Sequence, residues 1–106
     1  MIGMITNPGT EASADATLSN AQEVASRILA DIGADSVEYL ADRDRDGWFG
    51  FTFKAGDKSV EVDIPGDDPD TVCEGRPWVS RRLYVDGSSW LYCFAVSIAA
   101  ERLGLE

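Results

Sequence analysis

An α+β domain, with an N-terminal helix, an antiparallel sheet of about four strands and a C-terminal helix, is predicted by three features of the chain. Apolar residues recur at helical spacing between Leu18 and Ile32. The period then shortens to two across residues 37–41, 49–53 and 60–64, and a long apolar run near the end passes into Ser97-Ile98-Ala99-Ala100-Glu101-Arg102. A chain of 106 residues is the usual size for one domain with one shared core.

The first helix rests on Leu18, Ala21, Val24, Ala25, Ile28, Leu29 and Ile32, which share one face at 3.6 residues per turn. Ser19 and Gln22 are spaced as a capping box, and Gly33 supplies the terminator. Residues 1–16 mix Gly, Pro, Thr, Ser, Ala and Asp without period and read as a loose arm. The domain is accordingly placed at 17–104, with 105–106 read as a vector-derived scar.

Val37, Tyr39 and Ala41 alternate with polar neighbours, as do Phe49, Phe51 and Phe53, so two paired strands are expected around the turn Asp44-Arg45-Asp46-Gly47. Ala55-Gly56-Asp57-Lys58 turns into a third strand carrying Val60, Val62 and Ile64, which Pro65-Gly66 ends. Arg82-Leu83-Tyr84-Val85 reads as a fourth strand. The following run from Trp90 to Val96 fits either a strand or a helix. Its continuation to Gly104 favours a helix capped by Ser88 or Ser89 and buried on most sides, with both helices against one sheet face.

Composition narrows the function. The apolar fraction of 44% suits a folded protein, so the formal charge of -10 lies on a folded surface. A pI near 4.2 disfavours naked nucleic acid, which needs clustered Lys and Arg, and favours a basic protein surface as partner. The N-terminus lacks a basic, apolar export signal and no stretch is apolar for long enough to span a bilayer, so a cytoplasmic protein is expected. Cys73 and Cys93 are then expected as reduced thiols, Cys93 filling the core among Trp90, Phe94 and Val96.

No catalytic constellation emerges. Histidine is absent, which removes the commonest general base, and two distant cysteines cannot form a usual zinc site. Asp42-Arg43-Asp44-Arg45-Asp46-Gly47 matches the opening of an EF-hand loop, but the twelfth position falls on Phe53 where a bidentate acid is required. A solvated hairpin turn is the better reading. Val85-Asp86-Gly87-Ser88-Ser89 lacks the glycine spacing and lysine of a phosphate loop, and no acid pair stands out for glycoside chemistry. Neither a cofactor nor a metal is expected, and the chain is read as non-enzymatic.

Two acidic segments stand out as candidate protein-binding surfaces. The first hairpin contributes Asp42, Asp44, Asp46 and Trp48; the connection after Ile64 contributes Asp63, Asp67, Asp68, Asp70, Glu74 and Trp78, with Arg76, Arg81 and Arg82 nearby. Aromatic and arginine residues beside charged loops are common interface materials. Both tryptophans have the alternative of folding back onto the core.

The run Arg82-Leu83-Tyr84-Val85-Asp86-Gly87-Ser88-Ser89-Trp90-Leu91, continuing to Val96, resembles a segment of small acidic proteins of phages, prophages and other mobile elements. Relatives of that kind also carry an acid, an apolar residue and Pro-Gly at a strand end, matched by Asp63-Ile64-Pro65-Gly66. The resemblance implies a setting in which small acidic proteins inhibit host defence, anti-CRISPR proteins among them, by occupying a nucleic-acid-binding surface. Carboxylates competing for a basic groove as a DNA mimic make that physically coherent. The alternative is a structural or assembly accessory that forms a homodimer or larger homo-oligomer through its apolar last helix.

Overall fold

The computed structural model describes residues 17–70, 75 and 77–105. Their order is α1 (Leu18–Ile32), β1 (Ser36–Arg45), β2 (Trp48–Ala55), β3 (Lys58–Pro65), a 3-10 turn (Trp78–Ser80), β4 (Arg82–Val85), β5 (Ser88–Leu91) and α2 (Tyr92–Arg102). The strands form one antiparallel sheet in sequence order, a meander of five. The α+β reading holds, with one strand more than expected.

The extra strand is β5. Asp86 and Gly87 both have positive φ, the requirement of a two-residue type I′ hairpin, whose twist matches that of the flanking strands. The chain therefore turns straight back along β4, pairing Leu83 with Trp90 and Val85 with Ser88. Ser88 and Ser89 are strand residues, not helix caps, and α2 starts at Tyr92 without a side-chain cap. Asp46 and Gly47 close the β1–β2 hairpin in the same way, leaving Asp44 and Arg45 inside β1.

Thr17, not Ser19, caps α1: its hydroxyl accepts from the Asn20 amide at 3.1 Å. Satisfying a first-turn N–H is the task of such a cap, and Thr17 stands outside the helical dihedrals as a cap must. At the other end Gly33 adopts the left-handed conformation expected of it, and its N–H donates to the Leu29 carbonyl.

Both helices lie against one face of the sheet: α1 contacts β1, β2 and β3, α2 contacts β3, β4 and β5, and the helices touch each other. The core between the layers joins Val24, Ile28, Phe51, Phe53, Val60, Val62, Ile64, Leu83 and Val85 to Ala95 and Ala99 of α2. Each large aliphatic or aromatic side chain there contributes roughly 1.5–3 kcal/mol relative to exposure. Small alanines on α2 let that helix sit close on the sheet, and this turns Cys93 and Phe94 outward. The sequence expectation of a core cysteine is thereby corrected: Cys93 is an exposed free thiol, and Phe94 is 56% exposed.

Strand pairing places Gly50, Thr52 and Lys54 of β2 on the opposite face, level with Asp63, Glu61 and Ser59 of β3. Among the described residues no helix covers that face. No helix among them is long and apolar enough to cross a membrane.

Candidate protein-binding surface

The register of β1 breaks between Leu40 and Arg45. Leu40 opposes Gly50 and Arg45 opposes Trp48, so residues 41–44 bulge out against Phe49 alone. The bulge aims Arg43 inward across the uncovered face. Its Nε and Nη2 donate to Asp63 Oδ1 and Oδ2 at 3.1 and 2.9 Å, and its Nη1 lies 3.1 Å from Glu61 Oε1. Gly50 makes the crossing possible, since a Cβ there would stand 2.6 Å from Arg43 Cβ and 2.8 Å from Cδ. Hydrogen bonding to Asp63 raises the Arg43 pKa above its ordinary value although burial opposes it.

Asp63 was expected on a contact surface and is instead buried, its side chain 6% exposed beneath Arg43. Asp67 follows the same course: its side chain is 4% exposed and pairs with Arg81 at 2.5 Å. Both carboxylates are retained inside because each meets a guanidinium, the condition for burying a charge without neutralising it. Trp78 also turns inward. It is 5% exposed, packs edge-on against Tyr92 at 5.7 Å and has no acceptor for its indole N–H among the described residues. Glu74 lies outside the described residues.

The two candidate segments meet at their backbones. Gly66 N donates to Gly47 O at 2.9 Å, and Trp48 pairs with Pro65, so the first hairpin and the connection after β3 share one end of the sheet. Thr17 N and the Asn20 side-chain amide both donate to Gly66 O at 2.9 Å, tying the start of α1 to the same junction. Asp42, Asp44, Asp46, Asp68 and Asp70 are exposed; Asp46 lies in the hairpin turn and Asp68 two residues past Gly66, while Asp70 lies away from this end against Arg27 of α1. Asp68 accepts from the Asp70 amide, Asp70 accepts from Arg27 at 3.3 Å, and Asp44 accepts from the Tyr39 hydroxyl. That last bond, followed by burial, raises the Tyr39 pKa.

Trp48 is half-buried on the uncovered face, edge-on to Tyr84 with centroids 5.2 Å apart, and the Arg45 guanidinium lies 6.0 Å above the Tyr84 ring. Asp42, Arg43, Arg45, Asp63, Tyr84 and Gly87 line a shallow depression of about 570 Å³ there. Arg43, Arg45, Gly50 and Tyr84 were not singled out from sequence. The alternation of acids and arginines from Asp42 to Asp46 reads locally as a turn, while the partner that gives Arg43 its role lies on another strand.

The assembled end can attract a cationic surface and offer it an aromatic pair. Among the described residues no group of three or more His, Cys, Asp or Glu is arranged to hold a metal ion. Asp42, Asp44 and Asp46 belong to a strand and a tight turn rather than to a calcium-binding loop. Comparison with protein-family models, with curated proteins and with solved structures returns no match in any of the three.

Proposed function

We propose that the chain is a non-catalytic protein-binding module that docks its acidic sheet end on the basic, nucleic-acid-binding surface of a partner. The observation that carries this reading is the junction of Gly66 with Gly47, which puts two acidic segments distant in sequence side by side. Asp42, Asp46 and Asp68 then present charge from the first hairpin and the connection after β3, while Trp48 and Tyr84 add aromatic area. Preorganised charge speeds encounter and limits the entropy lost on docking. The phage or mobile-element resemblance suggests a defence protein of the host cytoplasm as target, inhibited in the anti-CRISPR manner.

Immobilised protein should retain nucleic-acid-binding proteins from host lysate at low salt, release them at high salt and lose them to added DNA. The triple reversal Asp42→Lys, Asp46→Lys, Asp68→Lys should abolish retention. Capture of the same proteins by the reversed variant, or none that DNA displaces, rules the reading out.

A second reading is favoured by Phe94, Val79 and Trp90, which are apolar and exposed. A self-associating assembly accessory would use them as its contact. Sedimentation velocity should then show a dimer that Phe94→Glu dissociates; a monomer at every concentration removes this reading.

A further inference from the structure

The partner's mode of attachment can be inferred from a different feature, the outer edge of β1. Among the described residues this strand is terminal in the sheet and is paired on one side, with β2. Residues 36–40 are regular, and their backbone offers alternate N–H and C=O groups to the outside. Beside this edge runs a groove of about 250 Å³ between strand and helix. Gln22, Ala25 and Ser26 of α1 form its wall, Val37 and Tyr39 of β1 its near side, and Phe51 of β2 its floor.

We propose that this edge and groove take up an extended basic segment of the partner as an added strand. Backbone pairing to β1 supplies affinity, and the groove receives every second side chain. The charge identifies the occupant. Asp44 is exposed beside the groove at the Tyr39 hydroxyl. Glu38 and Asp42 are exposed on the other face of β1, Glu38 within 3.5 Å of Lys54, and the whole chain carries a formal charge of -10. A Lys or Arg can lay its aliphatic stem over Tyr39 and Phe51 while its head remains near the Asp44 carboxylate. A second copy is disfavoured, because it carries the same formal charge of -10 and is repelled as a like-charged chain. Residues 36–40 contain neither Lys nor Pro, and the bulge that protects this edge lies beyond them, at 41–44.

The inference rests on the partner being basic but locates the attachment separately, so the two can fail separately. The test is fluorescence anisotropy on the full chain with a labelled peptide of alternating Lys and Val. A strand bound by one edge uses only alternate amides. Methylating the Val nitrogens and methylating the Lys nitrogens should therefore differ, one set weakening binding by about tenfold or more and the other leaving it unchanged, a gap of at least about 1.4 kcal/mol. Ser26→Trp, an exposed change that fills the groove, should weaken the unmodified peptide similarly while the thermal melt stays in place.

Equal binding of both methylated peptides, or indifference to Ser26→Trp, overturns edge addition even if charge reversal at Asp46 and Asp68 still abolishes capture. Concentration-dependent dimers lost in Ser26→Trp overturn it too, by making the occupant a second copy. Failure of both the peptide and the lysate capture sinks the basic-partner reading itself.

Discussion

Arg43 crosses the β2 backbone at Gly50 to hold Asp63 on β3 through two parallel hydrogen bonds of 3.1 and 2.9 Å. Three strands are thereby joined by one side chain on a face without a helix. Gly50→Ala should push Arg43 away and leave the buried Asp63 carboxylate unpaired. The expected loss is about 2 kcal/mol, moderated because Arg43 is 35% exposed and partly screened by water. Urea unfolding measures it. In the background of Asp63→Asn the same change should cost clearly less, and equal losses would show that the two residues are not coupled.

Gly66 should tolerate substitution least. A Cβ there would lie 2.7 Å from the Thr17 carbonyl oxygen and from the Phe49 ring, and 2.8 Å from Thr17 N. Backbone atoms cannot swing aside as a side chain can. Gly66→Ala should cost about 3 kcal/mol by overpacking and by loosening the bond to Gly47. Its thermal midpoint should fall below that of Gly50→Ala, and the reverse order would show the junction to be pliable.

Trp78 carries a buried N–H with no acceptor among the described residues. An unsatisfied buried donor costs about 1–3 kcal/mol, which offsets much of the gain from burying the ring. Trp78→Phe should therefore change stability by about 1 kcal/mol or less, while Trp78→Ala, which leaves a cavity, should cost about 3–5 kcal/mol. A Phe variant as unstable as the Ala variant would mean that the indole nitrogen has a stabilising partner.

Two tyrosines should titrate late. The bond to Asp44 raises Tyr39, and burial raises Tyr92, with Asp31 adding to that shift and Arg27 opposing it. Folded pKa values above the ordinary 10.0 mean that the native state keeps these protons longer. Their contribution to stability is full below pH 10 and is lost as pH rises through the folded values. Ultraviolet difference titration should show both above the unfolded chain, with Tyr39→Phe and Tyr92→Phe each removing one late component.

Cys93 should react with a soluble disulfide reagent in the native protein nearly as fast as in urea, because it is exposed on α2. Cys93→Ser should remove one thiol equivalent from that fast phase, apart from any contribution of Cys73. Slow labelling of the native protein would place the thiol under cover.

Local chemistry determined much of this protein through its sequence alone. The apolar period from Leu18 to Ile32, the alternation through Phe51, Phe53, Val60 and Val62, and Gly33 as a left-handed terminus are all short-range signals, and their elements formed as expected. Asp86-Gly87 was read as a turn before a helix, because the apolar run behind it fits both periods. Only pairing with β4 decided that Trp90 and Leu91 belong to a strand.

Tertiary structure alone decided which acids are surface and which are scaffold. Asp63 and Asp68 look alike in sequence, yet one lies beneath Arg43 and the other in water. The burial of a carboxylate depends on a cation brought to it from another strand, and that meeting required a bulge in β1, a glycine in β2 and the register between them. Trp78 turned inward, and Cys93 outward, for the same kind of reason. Which side of an apolar segment faces the core is set by the neighbour it packs against, and no residue's own chemistry carries that information.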